Sequence, residues 1–579
     1  LDKWFIRNNK VDINKISKNM GINEIIAKLL ANRGIVDSDS INKFLEPNLN
    51  KLYPAELMKD LVLTAEILGK DINNNKKIRI VGDYDVDGVM SVCLLYKGLK
   101  RLGADVDYVI PDRVLDGYGI NLNIIKTAKE DGVDTIITCD NGISAKDAIE
   151  FAKDLGFTIV VTDHHDVPEV LPDANAIINP KQLDCSYPFK NLCGAGVVFK
   201  LISYLYKING LAAEIYDFLE YVAIATICDV VDLIDENRII VKYGLEKLNN
   251  TKNVGLKALI EACGILDKKI DVYHVGFIIG PSINASGRLD SALLALQLFL
   301  TEDSQLAKEI AIDLRDLNEE RKKMTLDGID KAEYQIKNST LKDDKVLVIY
   351  EPKIHESIAG IIAGRIKERY NKPTIILTNG KDGQPKGSGR SIEEFNMYEE
   401  LTKCKDILDK YGGHPMAAGL SLNVENIEEL KRLLNDNISL TEDDLIPKIY
   451  IDMELPIEYI NYKLIDDING LEPFGKGNSK PIFGCKKLRI TKGYLLGANK
   501  NVIKLNLLSP KGRRIDGLIF SEVEKFIEAM TDKYGEDQLE NMYRGIENDV
   551  LVDILYYPSI NEYKGNRSLQ VIINNYRFN

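Results

Sequence analysis

The sequence predicts a multidomain α/β protein: a parallel-sheet domain, a connecting helix, a second, smaller α/β domain and a C-terminal β-barrel. Three observations predict it. From residue 77, apolar strands alternate with helical patterns, which implies parallel βαβ units. The same alternation resumes after a long polar helical stretch over 302–337. After 446 the pattern becomes mostly short strands with turn signals, as in a small barrel. A chain of 579 residues has room for about three or four domains.

Taken in order, residues 1–60 form a leader, expected to pack on a first α/β domain at 61–301. There KIRIVGDYD (77–85) is an apolar strand ending in acids, followed by the helix-like VMSVCLLYKGLKRLG (89–103). VDYVIPDR (106–113), DTIITCDNGIS (134–144) and FTIVVTDHH (157–165) supply three further strands. In such sheets ligands sit beyond the carboxyl ends of the strands, and here those ends deliver Asp and His. The mixed charges of 302–337 read as a solvated spacer, within a connecting segment at 302–340. A second unit at 341–445 contains KVLVIYE, PTIILT and the glycine-rich segments GQPKGSGRS and YGGHPMAAG, and 446–579 holds the barrel.

Composition narrows the class. Hydrophobic residues at 45% support several cores and argue against global disorder. The net charge of −13 disfavours a general nucleic-acid binder unless its basic residues are concentrated in a groove. The eight cysteines form no CxxC pair, so they read as reduced core residues of a cytosolic protein rather than zinc ligands. No apolar run approaches the ~18 residues of a membrane span, and no signal-peptide pattern opens the chain. A cytoplasmic protein is the expectation.

GDYDVDG (82–88) is the sharpest motif. Asp83, Asp85 and Asp87 follow an apolar strand; if extended they share one face, and at a strand-to-helix turn they fan around a point. Either way they repel one another unless a cation stands between them. Asp140, the Asp163-His164-His165 run and Asp229, which closes an apolar helical run, add acids and imidazoles at further element ends. Carboxylates with an imidazole suit two Mn²⁺ or Mg²⁺ ions and phosphate-ester hydrolysis.

GDYDVDG, TCDNGIS, VTDHHDVPE and ICDVVDL resemble the four motifs of the DHH phosphoesterases. By that resemblance Asp85, Asp87, Asp140, His164 and Asp229 match metal ligands, and His165 matches the second histidine, which contacts the scissile phosphate. Asp140, His164 and His165 form the expected catalytic group. Val81 stands where the pyrophosphatase relatives carry a histidine, and Asp83 is the expected substitute ligand. PDRVLDGYG (111–119), GFIIGPSINASGRL (276–289), KGSGRS (386–391), YGGHPMAAG (411–419) and LEPFGKGNSKPIFG (471–484) extend the resemblance over nearly the whole chain, to the RecJ branch of that family. That branch implies a DHH domain, a DHH-associated domain and a C-terminal OB-fold, with 5′–3′ exonuclease activity on single-stranded DNA in recombination and repair.

Arg113, Arg288 and Arg390 are each read as lying in glycine-containing loops; the resemblance makes Ser388 and Arg390 part of a 5′-phosphate pocket, and Arg113 and Arg288 holders of phosphates near the metals. His414, in the GGHPMAAG loop, is expected to face the cleft. His355 reads equally as packing or function, and His274 as structural. Residues 471–516 hold eleven Lys or Arg against Glu472 and Asp516, and with Phe474, Phe483 and Tyr494 suit a surface that tracks a single strand by charge and stacking. A strand threaded along the barrel and the cleft between the α/β domains is the expected substrate geometry. A helicase of RecQ type and a single-strand-binding protein are the implied partners, and a monomer the implied state. Two other readings stand beside this one: a DHH phosphodiesterase of short oligonucleotides or cyclic dinucleotides, and a catalytically silent replication scaffold.

Overall fold

Runs of aliphatic and β-branched residues build the first sheet, whose five parallel strands lie in the order Asp105–Val109, Lys77–Val81, Thr135–Cys139, Thr158–Thr162, Ala176–Ile178. Side chains alternate across it. Ile78, Ile80, Ile137 and Val160 join one core with the helices Val86–Arg101, Gly194–Ile208 and Leu219–Cys228. Val81, Ile136, Ile159 and Val161 join another with Leu122–Glu130 and Lys146–Asp154. Covering both faces is what permits the strands to read as continuous apolar runs. Each strand ends earlier than its sequence pattern suggests, leaving Asp83, Asp140, Asp163, His164 and His165 in the turns beyond the carboxyl edge.

This is a computed structural model, describing residues 2–113, 116–381, 383–436, 438–520, 522–563 and 565–579. It divides into two units, one of Leu49–Pro447 and one of Asp2–Asn48 with Lys448–Asn579.

Within the first unit the connecting helix is Ser304–Lys337, and it is not a solvated spacer. Ala307, Ile310, Ala311 and Leu314 enter the core of the first domain, and Ile329, Ala332 and Ile336 enter that of the second. Their three- and four-residue spacing makes one buried stripe beneath the charges. The second sheet runs Lys410–His414, Ala417–Ser421, Pro385–Arg390, Thr374–Asn379, Leu347–Tyr350, parallel only between the last two. The two glycine-rich segments expected to be loops are therefore strands of this sheet.

In the second unit, five strands close a barrel: Phe483–Leu496 pairs with both Val502–Leu508 and Leu551–Tyr563, and Arg514–Ile519 and Asn566–Phe578 complete the ring. The strands are longer than their pattern predicted, and two helices, Val523–Tyr534 and Glu536–Arg544, interrupt them. The leader corrects a second expectation. Lys3–Ile6 pairs in parallel with Lys448–Ile451, and Ile26, Leu29, Leu30 and Phe44 share one core with the barrel residues Leu455, Ile465 and Phe483. Its helices Ile13–Met20, Glu24–Asn32 and Ser38–Leu45 bury their apolar faces there rather than in the first α/β core, whereas Ala55 and Met58, later in the leader, do join that core as expected. All eight cysteines are unpaired, and no helix among the described residues is long and apolar enough to cross a membrane.

Candidate metal centre

The acidic motif is a strand-to-helix turn. After Val81 the chain turns through Gly82 and Asp83; Asp85 caps the helix Val86–Arg101, its Oδ1 accepting from the Gly88 N–H at 3.1 Å. Asp87 lies in the first helical turn and is buried. Gly88 is required by close approach, because a Cβ there would lie 2.4 Å from the Asp83 carbonyl oxygen. Asp87 is held by a second helix N-terminus: Gly194 N–H and Ala195 N–H donate to its carboxylate at 2.6 and 2.8 Å. A Cβ on Gly194 would stand 2.7 Å from the Asp140 side chain, so this helix can reach the site only as glycine.

Asp140 takes a left-handed backbone, φ +63°, a conformation that Asp and Asn tolerate better than other side chains. Tyr118 donates its hydroxyl hydrogen to the Asp140 carbonyl at 2.8 Å, and Asn141 is clamped to the carbonyls of Val81 and Cys139 at 3.0 and 2.9 Å. Asp229 caps the end of the helix Leu219–Cys228.

These turns bring every expected ligand together. Asp83, Asp85 and Asp140 form one triad of donor atoms within 4.8 Å, and Asp87, His164 and Asp229 form another. Asp140 joins them, its Oδ1 lying 3.1 Å from His164 Nε2, which is 3.7 Å from both Asp87 and Asp229. The donors fit cations on a further ground. Asp83 Oδ1, Asp140 Oδ1, His164 Nε2 and Asp229 Oδ2 are buried with no hydrogen-bond partner, a costly state for polar atoms unless a cation satisfies them. Burial, then the neighbouring acids, push Asp83 and Asp229 up to about 8 and Asp87 to about 6, and raise Asp140 strongly. Burial, with the adjacent His165, lowers His164 to about 3, so its imidazole stays neutral with a lone pair to give.

His165 differs. Its side chain is about half exposed, and its Nδ1 is 2.7 Å from Asp163 Oδ1. Burial alone would lower it, but the bond and charge of Asp163 win and raise it to about 9, making it an imidazolium. Asp163, singled out in the acidic run but assigned no role, also accepts from the N–H groups of Ile143 and His164 at 2.9 and 2.7 Å. Its place in the DHH run was a signal for this orienting role. Tyr118, within GYG, was the signal for the contact on Asp140; Gly194 carried none that a single sequence discloses.

The phosphate candidates collect nearby. Arg113 stacks over the Tyr84 ring at 4.7 Å, and both line a cavity of about 270 Å³ with Ser357, Lys386 and Ser388. Val114 and Leu115 of the same segment lie outside the described residues. Ser388 and Arg390 are two residues apart on one strand and so share a face. A Cβ on Gly360 would meet Arg390 Nη2 at 2.8 Å, so that glycine admits the guanidinium. Arg288 donates to the Ser357 carbonyl at 2.6 Å. Arg288 stands on the helix Gly280–Leu289 and Arg390 ends a strand, so neither lies in a loop as expected. His414, at the end of a strand, lines a cavity of about 580 Å³ with His165 and Tyr118. His355 is a local cap, bonded through Nδ1 to Ser357 Oγ at 2.7 Å, and His274 forms a capping box with Asp271.

In the second unit the stacking candidates are corrected: Phe483, at the start of a barrel strand, faces inward, and Phe474, in the segment before that strand, packs on Tyr557, so both are buried in the core. Tyr494 is exposed and carries Lys492 at 4.9 Å from its ring centroid. Lys486 and Lys504 are engaged by Glu454 and Asp516.

Comparison with known proteins agrees with this anatomy. The DHH family N-terminal domain matches residues 77–226, the DHHA1 domain 343–440, and the RecJ OB domain 451–575. The single-stranded-DNA-specific exonuclease RecJ of Bacillus subtilis is 35% identical over 99% of this chain and 70% of its own length. That of Haemophilus influenzae is 32% identical over 96% of this chain and 97% of its own. The crystal structure of RecJ in complex with Mn²⁺ from Thermus thermophilus superposes with a TM-score of 0.82 at 25% identity, covering 99% of this chain and 79% of that one.

Proposed function

The chain belongs to the family of RecJ single-stranded-DNA-specific exonucleases, and on that premise we propose that it removes nucleotides from the 5′ end of single-stranded DNA by metal-dependent phosphodiester hydrolysis. The observation that carries the reading is the pair of donor triads joined at Asp140, beside a cavity lined by Arg113 and Ser388.

Asp83, Asp85, Asp87, Asp140, His164 and Asp229 are the residues that would hold two Mn²⁺ or Mg²⁺ ions. When bound, such ions supply Lewis-acid polarisation of a phosphodiester and make water nucleophilic near neutral pH. The chain's own groups do the rest. Gly194, Ala195, Tyr118 and Asn141 fix the acids, so their positions cost no reorganisation on binding substrate. His165, kept cationic by Asp163, is placed to bind a phosphoryl oxygen and to give a proton from its ring to the leaving oxygen. Ser388 and Arg390 capture the 5′-terminal phosphate, Arg113 and Arg288 hold the phosphates next to it, and His414 faces the substrate from the second α/β domain. The barrel contributes a basic surface with Tyr494 as a stacking position. Family membership further leads us to assign a monomer of the cytoplasm that works in recombination and repair with a RecQ-type helicase and a single-strand-binding protein.

The test uses 5′-phosphorylated DNA, single-stranded or blunt duplex, with Mn²⁺. Mononucleotides should appear from the 5′ end of the single strand while the duplex stays intact. Equal loss of both substrates, or release from the 3′ end first, defeats the proposal.

A further inference from the structure

A groove of about 700 Å³ runs between the helix Gly280–Leu289, the π-helical turn Val275–Ile279 before it, the long helix Ser304–Lys337 and the helix Ala359–Tyr370. Arg288, Arg321, Lys322, Arg365 and Arg369 line it, and no carboxylate does so among the described residues. In a chain of net charge −13 this is a local concentration of positive charge that attracts anions, although Lys322 is paired with Glu319 at 2.7 Å.

Arg321 is the best-built member. Its Nε and Nη2 donate to Asn318 Oδ1 at 3.0 and 2.9 Å, and it makes no ion pair among the described residues. Asn318 is buried and is itself fixed by its Nδ2 donating to Ser282 Oγ at 3.2 Å. A buried amide thus orients a cation that makes no direct ion pair, with Glu319 acting on it only at longer range. Of the outer pair, Arg369 is engaged by Glu333, and Arg365 lies 3.4 Å from Glu368. At the rim Phe277 is 63% exposed, and Tyr273 stacks on it with ring centroids 5.1 Å apart. Exposed stacked rings beside arginines suit a base attached to a phosphate.

The groove adjoins the 5′-phosphate candidates. Arg288 lines it, and the Arg288–Ser357 hydrogen bond forms a wall shared with the 270 Å³ cavity of Tyr84, Arg113 and Ser388. In a 5′ exonuclease the uncut strand extends to the 3′ side of the scissile bond and obstructs that route. Each released nucleotide needs a way out on the 5′ side, which the assignment of Ser388 and Arg390 to the 5′-terminal phosphate makes the side of this groove. We propose that the groove holds the nucleoside 5′-monophosphate released by each cleavage on its way out, with its phosphate on Arg321 and Arg365 and its base against Phe277. This rests on the nuclease reading above.

The test titrates the full-length, Mn²⁺-loaded chain with thymidine 5′-monophosphate by calorimetry and follows cleavage of single-stranded DNA in a rapid-mixing experiment. Wild type should bind two equivalents, one of them blocked by a non-hydrolysable 5′-phosphorylated oligonucleotide. The double variant Arg365→Glu/Lys322→Glu, at exposed positions, should bind one. Its first turnover should keep the wild-type rate while its steady-state rate falls several-fold. Phe277→Ala should weaken the second equivalent about fivefold or more, the scale of one lost stacking contact. A single equivalent in wild type, or two unchanged in the charge-reversed protein, overturns the proposal. So does loss of the second equivalent with an unaltered steady-state rate, which would make the groove a site for free nucleotide. Wild type that releases no nucleotide at all from single-stranded DNA refutes the nuclease reading instead.

Discussion

Asp83→Asn should make the metal-free protein more stable and the metal-loaded protein less able to gain from its ions. The Asp83 side chain is 3% exposed, and burial, then Asp85, raise it to about 8. An unfolded chain releases that proton near the ordinary value of about 3.9, at about 1.36 kcal/mol per unit. At pH 7 the linkage therefore favours the unfolded state by up to about 4 kcal/mol, with neighbouring acids sharing the cost. The sign follows from proton counts. Between about pH 4 and 8 the metal-free native state binds more protons than the unfolded one, so stability falls as pH rises through that window. Asn removes the linkage. Chelator-treated Asp83→Asn should melt several degrees above wild type at pH 7.5, at roughly 2–4 °C per kcal/mol, and the gap should close towards pH 4.5. Adding Mn²⁺ should reverse the order, because Asp83 Oδ1, buried and unpartnered, would be the oxygen lost to the ion. Thermal denaturation at both pH values, with and without Mn²⁺, tests this. A metal-free variant less stable than wild type at pH 7.5 refutes the burial argument. An equal Mn²⁺-induced shift in both proteins refutes Asp83 as a ligand.

Asp140→Asn should keep the fold, because Asn accepts a φ of +63° and the Tyr118 bond goes to the backbone, yet lower cleavage by about a thousandfold or more by removing the charge that joins the triads; near-normal turnover in a nuclease assay contradicts the site. Arg390→Ala should slow 5′-phosphorylated substrates about tenfold or more relative to 5′-hydroxyl ones, the scale of a charged hydrogen bond; competition kinetics giving equal losses removes the 5′ pocket. Gly194→Ala sets a Cβ 2.7 Å from Asp140 and should cost about 1–3 kcal/mol and much of the Mn²⁺ affinity; calorimetry showing wild-type affinity means that the helix end can retreat freely.

Much of the centre was legible because its chemistry is local. Asp85 and Asp87 sit in one turn, His164 and His165 in another, and strand-end placement in a parallel sheet forces such turns onto one edge. Gly194 was invisible for the opposite reason: its requirement comes from a helix far along the chain pressing on Asp140, and no periodicity records that distance. The long helix misled because charge count hides a three-to-four spacing of Ile310, Leu314, Ile329 and Ile336. Phe474 and Phe483 misled because aromatic content alone does not say whether a ring points to solvent or into the core. The leader's partner could not be read at all, since amphipathic helices state that they need a core but not whose.

That pairing of the leader with the barrel sets a schedule for biosynthesis. Ile26, Leu29, Leu30 and Phe44 emerge from the ribosome early, but Leu455, Ile465 and Phe483 follow only after about 400 further residues, roughly 20–80 s at ordinary elongation rates. Throughout that interval the nascent leader carries uncovered greasy helices while the intervening domains fold. A fragment starting at Lys448 would meet the mirror-image difficulty, its barrel lacking the cover that residues 2–48 provide.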